Sequence, residues 1–285
     1  MDSIVITGVS TGIGRATAKE LVTRGFRVFG SVRKQTDADR LSHEFGPNFV
    51  PLTFDVTDKA SVATAAQNVA ALLERATLFG LVNNAGVAVQ GPLLELSIDE
   101  LRQQLEVNLI GQLTVIQQFA SVLGVDRSRT GGPGRVVMVS STGGKRAFPF
   151  MGPYAASKFA LEGLSESLRR ELMLFGIDVI VVAPGATATA IWDKAEAVDL
   201  ASFAGSPFAP ALGKFRQFML TEGKKGFAPE RVGRVIVDAL VNRRPKTRYT
   251  VTPTPILDQL LNRLPKRLVD RMLARRLGLT ATTAG

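Results

Sequence analysis

The stretch Ser3-Ile4-Val5-Ile6-Thr7-Gly8-Val9-Ser10-Thr11-Gly12-Ile13-Gly14 decides the fold. Its opening residues are apolar and largely β-branched, as a buried strand requires, and its glycines turn the chain straight into a helix predicted to begin near Arg15. Glycines permit a sharp turn and a close backbone approach. The free N–H groups and positive end of the following helix stabilise an anion such as a pyrophosphate. The same residues spell a second motif, because Gly8-Val9-Ser10-Thr11-Gly12 fits the G-x-S-x-G of a hydrolase nucleophile elbow. Context removes it: such a hydrolase needs strands before its elbow and a histidine late in the chain, whereas this turn follows the first strand and the only histidine is His43.

Outward from this turn, short apolar runs alternate with longer segments of helical period. Ser3–Thr7, Val28–Val32, Phe49–Phe54, Leu78–Asn83, Arg135–Ser140 and Ile177–Ala183 read as strands, and no tight hairpin dipeptide joins them. Strands apolar on both faces, separated by helices, predict an α/β fold: a doubly wound, mostly parallel Rossmann-type sheet with helices on both faces. Residues 1–252 form this domain. Within it, an excursion over 186–228 exceeds an ordinary connection and carries Trp192, Phe203, Phe208, Phe215, Phe218 and Phe227. At the carboxyl end of a strand it reads as a lid over a substrate, the plainer reading being a helix pair that fills the core.

Farther along, Tyr154-Ala155-Ala156-Ser157-Lys158 sets a phenol and an ammonium one turn apart on a helix predicted from about Pro153 to Phe175. A free tyrosine, with a pKa of about 10, is a poor proton carrier near neutrality. A neighbouring lysine ammonium, helped by a positively charged oxidised cofactor ring, stabilises the phenolate and draws that value toward the working range. Taken alone, the pair would as readily be packing and a solvated helix face.

The motifs occur in order, each at a strand end: the glycine turn, Asn83-Asn84-Ala85-Gly86, Asn108 in Val107-Asn108-Leu109, Ser140-Ser141, Tyr154 with Lys158, and Pro184-Gly185. In this order the chain resembles the short-chain dehydrogenase/reductase family from about residue 2 to 250, and its Phe159–Gly176 segment is similar to the 17β-hydroxysteroid and retinol dehydrogenase branch. The resemblance implies an oxidoreductase that interconverts a carbonyl and an alcohol by hydride transfer. Tyr154 is then general acid or base. Lys158 lowers its pKa and holds the nicotinamide ribose, and Ser141, ahead of Ser140, bonds the reacting carbonyl. Asn108 holds a water joining Lys158 to solvent. Gly8, Ser10, Thr11, Gly12, Ile13 and Gly14 cradle the cofactor, joined by Asp55 and Val56 at the adenine, Asn83, Ala85 and Gly86 beside it, and Pro184, Gly185, Thr187 and Thr189 at the nicotinamide. A non-catalytic NAD(P)-binding sensor on the same fold is the rival, but a sensor has no need of Tyr154, Lys158, Ser141 and Asn108 together.

Cofactor choice turns on the end of the second strand. An acidic side chain about twenty residues beyond the glycines binds the ribose 2′-hydroxyl of NAD, whereas a cation there binds the 2′-phosphate of NADP. The segment Phe29-Gly30-Ser31-Val32-Arg33-Lys34 has no carboxylate before Asp37. NADP(H) is therefore expected, with Arg33 as the clamp, Lys34 in support and NAD(H) as the alternative. The basic residue usual within the glycine turn is missing, since Ser10 and Thr11 stand there.

Composition bounds the rest. With no cysteine and one histidine in 285 residues, disulfides, thiolate metal sites and multi-histidine metal sites are excluded, so no metal is expected. No apolar run reaches the ~18 residues of a membrane span, and Ile4–Ile6 is too short for a secretory core, so the cytoplasm is the expected compartment. Of the net charge of +10, residues 240–285 hold ten cations against Asp258 and Asp270. Residues 253–285 read as a basic amphipathic extension of two helices divided by Pro265. This tail suits docking on the chain's own domain, a subunit contact or a peripheral anionic membrane surface. No nucleic-acid module accompanies it. A homodimer or homotetramer through helices near Ile98–Leu123 and Pro153–Phe175, acting on a lipophilic small molecule, completes the expectation. His43 is expected on a surface helix with no part in chemistry.

Overall fold

The computed structural model describes residues 1–188, 203–224, 226–255, 260 and 263–280. Seven parallel strands form one sheet in the order β3-β2-β1-β4-β5-β6-β7: β1 Ser3–Ile6, β2 Arg27–Val32, β3 Phe49–Thr53, β4 Gly80–Asn83, β5 Arg135–Val139, β6 Asp178–Pro184 and β7 Arg248–Val251. Within the described residues the sheet is wholly parallel, where a mostly parallel one was expected. β7 is an addition: its four residues, opening with an arginine, give too little apolar pattern to read. Strand order reverses beside β1, which pairs with both β2 and β4, and a crevice at such a switch point is where ligands bind in open α/β sheets.

Each strand supplies alternate residues to two cores. Val5, Phe29, Leu81, Val136, Met138 and Val179 face one way, while Ile4, Ile6, Val28, Val82, Val137 and Ile180 face the other. The first face packs against α3 (Lys59–Leu73), α5 (Gly111–Phe119) and α6 (Gly152–Leu172); the second against α1 (Gly12–Thr23), α2 (Gln35–Phe45) and α8 (Pro229–Val241). Period-two burial on both faces is what makes these strands continuous apolar runs in sequence. α4 (Ile98–Leu105) starts with a capping box between Ser97 and Glu100 and continues through a π-helical turn, Glu106–Ile110, into α5. His43 is exposed in the last turn of α2, where it was expected.

The aromatic excursion divides. On α7 (Ala209–Lys224), Phe215 and Phe218 join Phe203, Phe208, Phe148 and Phe150 in a third cluster that also packs Tyr154. Phe227 does not belong to it. Its ring packs with the second sheet-facing core, under Arg231 at 3.8 Å. Trp192 lies outside the described residues. Pro265 caps α9 (Lys266–Leu277), and the segment before it lies mostly outside them. Of the three uses open to the tail, α9 takes the first: Leu277 is buried in the Phe215 cluster and the Arg276 guanidinium stacks 4.3 Å from the Phe218 ring, while Leu268 and Met272 stay exposed. Among the described residues no helix is long and apolar enough to cross a membrane.

Candidate active site

The carboxyl ends of β1, β4, β5 and β6 meet at one edge of the sheet, and every expected site residue among those described lies at or near it. Gly8 and Gly12 have φ of 71° and 59°, the left-handed region that costs glycine little. At Gly14 the requirement is steric instead, because a Cβ there would lie 2.2 Å from the Gly8 carbonyl oxygen and 2.5 Å from Asn84 Nδ2. Asn84 fixes this turn. Its amide donates to the carbonyls of both Thr7 and Gly8 at 2.9 Å, while Thr7 Oγ1 accepts from the N–H groups of Asn84 and Ala85 at 2.9 and 3.0 Å. Ser31 accepts from the Gly8 N–H at 3.0 Å. These buttresses were absent from the expected set; Asn84 was visible as part of the Asn-Asn-Ala-Gly run, but its partners are not legible from sequence.

Thr11 occupies the N-cap of α1, yet its side chain bonds no helix N–H group, and the first turn holds no acidic residue. The glycine turn and this open, positive helix end suit a bound pyrophosphate, so the residues present fit a dinucleotide. At the adjoining rim Arg33 lies 3.7 Å from Asp55, bringing together the ends of β2 and β3. Asp55 accepts from the N–H and hydroxyl of Thr57 at 3.0 and 2.8 Å. Partial burial works to raise its pKa, but the Thr57 bonds and Arg33 together hold it below the ordinary carboxylate value. Lys34 is exposed at the N-cap of α2. Arg40, one helical turn into α2, donates to the Ser10 carbonyl at 2.9 Å and to Asp37 at 2.8 Å, so a cation reaches the turn from a neighbouring helix.

Three of the expected residues have buried side chains. Asn83 is 0% exposed and donates to the Gln112 carbonyl at 3.0 Å, bracing β4 against α5 with no face toward the crevice. The Val56 side chain is buried where it would meet a Cβ at Gly111. The Thr187 hydroxyl is buried and donates to the Gly185 carbonyl at 3.1 Å. Ala85 and Gly86 border the opening, Pro184 ends β6, and Thr189 lies outside the described residues.

At the other end of the crevice, Pro153 in its first turn starts α6, which carries both members of the pair. Lys158, 5% exposed, donates to the Val139 carbonyl at 2.9 Å, with its ammonium 5.8 Å from the Tyr154 ring. Burial drives its pKa down to about 8, against the opposing pull of Glu162. Around Tyr154, without the nicotinamide charge that shares in the expected lowering, burial raises the phenol and the hydrogen bond with Ser141 opposes it. Desolvation disfavours the phenolate more than these neighbours favour it. Ser141 faces the phenol, whereas Ser140 is 3% exposed and its hydroxyl finds no partner among the described residues, in keeping with Ser141 as the chosen serine.

Asn108 is built into the wall of the site. Its side chain is 0% exposed and fully engaged: the amide donates to the Val87 carbonyl at 3.0 Å and to Ser157 Oγ at 3.2 Å, while its oxygen accepts from the Val87 N–H at 2.9 Å. The side chain clamps the loop after β4 onto α6. Gln104, also 0% exposed, bonds the Val87 carbonyl and the Val89 N–H, and Gln112 donates to the Ala85 carbonyl. Spaced by four residues through the π-helical turn, the three side chains form a polar stripe that an apolar-period reading passes over.

Comparison with known proteins agrees with this geometry. A family model described as short chain dehydrogenase matches residues 2–199. The NADPH-dependent 3-dehydrocapnine reductase of Ornithobacterium rhinotracheale is 35% identical over 274 residues, covering 94% of each chain. Human retinol dehydrogenase 5 is 33% identical, covering 95% of this chain and 87% of its own. The crystal structure of a short-chain dehydrogenase from Streptomyces avermitilis superposes with a TM-score of 0.76 at 27% identity, covering 97% of both chains. The chain is an oxidoreductase and belongs to the short-chain dehydrogenase family.

Proposed function

We propose that the chain is an NADP(H)-dependent oxidoreductase that reduces a ketone or aldehyde, or oxidises the matching alcohol, on a lipophilic substrate. The observation that carries this reading is the Tyr154 hydroxyl, bonded to Ser141, one turn from the buried Lys158 and packed against the Phe148–Phe150–Phe215 cluster. When bound, the nicotinamide supplies or accepts the hydride.

The chain's residues bind and manage the proton. Gly8, Ser10, Thr11, Gly12, Ile13 and Gly14 hold the pyrophosphate, with Asp55, the main chain of Val56, Ala85 and Gly86 along the adenosine side and Pro184, Gly185, the main chain of Thr187 and Thr189 at the far end. Asn83 supports this wall from behind. Arg33 binds the 2′-phosphate with Lys34 beside it, and Arg40 adds positive charge at Ser10; the similarity to an NADPH-dependent reductase supports the choice. Ser141 orients the substrate oxygen. Tyr154 donates its proton to that oxygen in reduction and removes it in oxidation, while the Lys158 ammonium opposes charge left on the phenol.

Lipophilicity rests on six phenylalanines of the third cluster around Tyr154. Assembly as a homodimer or homotetramer follows from Ile98, Ile110 and Phe159, large apolar residues left exposed on α4, the π-helical turn and α6. The test is coenzyme oxidation with NADPH and NADH across a series of alkyl ketones and aldehydes. Turnover should be faster with NADPH and rise with chain length; faster turnover of the more polar carbonyls contradicts the substrate class.

A further inference from the structure

Behind Lys158, on the side away from the phenol, stands a charged pair that the proton transfer above does not use. Glu162 follows Lys158 by one turn of α6, so the two side chains share a helix face. Its carboxylate receives Arg248 of β7 in a bidentate grip, from Nε at 3.0 Å and Nη2 at 3.1 Å, and Arg248 Nη1 also bonds Thr250. The two side chains are only 11% and 25% exposed, so the interaction is far less screened than a surface ion pair. The turn after Ser141 passes close to the Glu162 side chain. A Cβ at Gly144 would lie 3.0 Å from Glu162 Cγ and 3.0 Å from the Lys158 carbonyl oxygen.

We propose that Glu162, anchored by Arg248, is a positioning residue whose carboxylate keeps the Lys158 ammonium protonated in a site that would otherwise strip its charge. The inference rests on the reading of Tyr154 and Lys158 as the proton-handling pair. Around Lys158 stand the Tyr154 ring at 5.8 Å and the neutral Val139 carbonyl from β5, with Glu162 one turn on along its own helix and Arg248 of β7 paired to Glu162. Of the charged groups, Glu162 favours the ammonium and Arg248 opposes it. Burial pulls the lysine toward neutrality, and the pull of Glu162 raises its pKa against that burial. Arg248 fixes where the carboxylate sits and moderates its field.

The decisive variant is Glu162→Gln, which keeps the shape and removes the charge. In carbonyl reduction the alkaline limb of the pH profile should move to lower pH by about half a unit or more, and Glu162→Asp should recover part of the shift. A merely structural role would lower the rate without moving the limb, and that result overturns the proposal. Arg248→Gln leaves the carboxylate without its counter-charge and should raise the limb; a limb that stays or falls also overturns it.

A second readout needs no cofactor. Lys158 has a folded pKa depressed below its unfolded value, so its burial penalty is present below the folded pKa of about 8 and vanishes above the unfolded one. The loss in urea midpoint caused by Glu162→Gln should therefore be greater near pH 6 than near pH 10. An equal loss at both pH values assigns the carboxylate to Arg248 alone and contradicts the proposal. If instead Lys158→Met leaves wild-type turnover, the proton-handling reading fails, whatever the behaviour of Glu162.

Discussion

The Asn108 amide reaches Ser157 Oγ at 3.2 Å, and the same hydroxyl donates to the Tyr154 carbonyl at 2.7 Å. Through these two bonds the helix after β4 sets the turn of α6 that bears the phenol. Replacing Asn108 by Ala strands the Val87 N–H, leaves the Val87 carbonyl to Gln104 alone and removes one partner of Ser157. Each buried polar group so exposed to apolar surroundings costs about 1–3 kcal/mol. We expect Asn108→Ala to lower the urea midpoint and the turnover number together, and Asn108→Asp, whose buried carboxylate would face the Val87 carbonyl, to lower them at least as much. Denaturation and steady-state kinetics on the two variants check this.

Gly14 and Gly163 make a matched pair. At Gly14 a methyl group collides with the Gly8 carbonyl, so Gly14→Ala should displace the turn and abolish dinucleotide binding in a fluorescence titration. At Gly163, inside α6, a methyl group meets nothing within 4 Å. Gly163→Ala should leave binding intact and raise stability by roughly 0.5–1 kcal/mol, the helical preference of alanine over glycine.

Arg33 tests the coenzyme. In Arg33→Asp the KM for NADPH should rise at least about tenfold, as loss of a charge-assisted contact to phosphate implies, with little change for NADH. Equal effects on both coenzymes would show that Arg33 serves only its pair with Asp55.

Lys158 gives a pH dependence with a defined sign. Because its folded pKa is about 8 and lies below the unfolded value, the folded chain binds fewer protons across that interval, and this group makes stability rise with pH there. Lys158→Met removes the buried ammonium and should flatten the rise. Urea midpoints of both proteins, taken between about pH 7 and pH 10, measure the difference.

Local pattern carried most of the sheet and the two ends of the site. The glycine turn and six strands declare themselves because a buried parallel strand is apolar at every position, and Tyr154 with Lys158 because one helical turn is a sequence spacing. What stayed hidden depends on residues far apart in the chain. Glu162 and Arg248 are 86 residues apart, Asn108 and Ser157 49, and Arg40 meets Ser10 only after α2 folds back on the turn. Gln104, Asn108 and Gln112 look like a solvated helix face in sequence, and only the loop after β4 shows why they are buried. The burial of Tyr154 is hidden for the same reason: spacing puts the ammonium nearby, but it does not reveal the desolvation that raises the phenol.

The proton-donating role of the Tyr154 hydroxyl is tested by Tyr154→Phe, which removes one oxygen and leaves the ring in the Phe150–Phe215 cluster. NADPH-linked turnover of a long-chain ketone, measured beside NADPH affinity by fluorescence, should fall by about 10²–10⁴-fold while binding is retained. Turnover within a few-fold of wild type, with binding equally intact, would contradict the account.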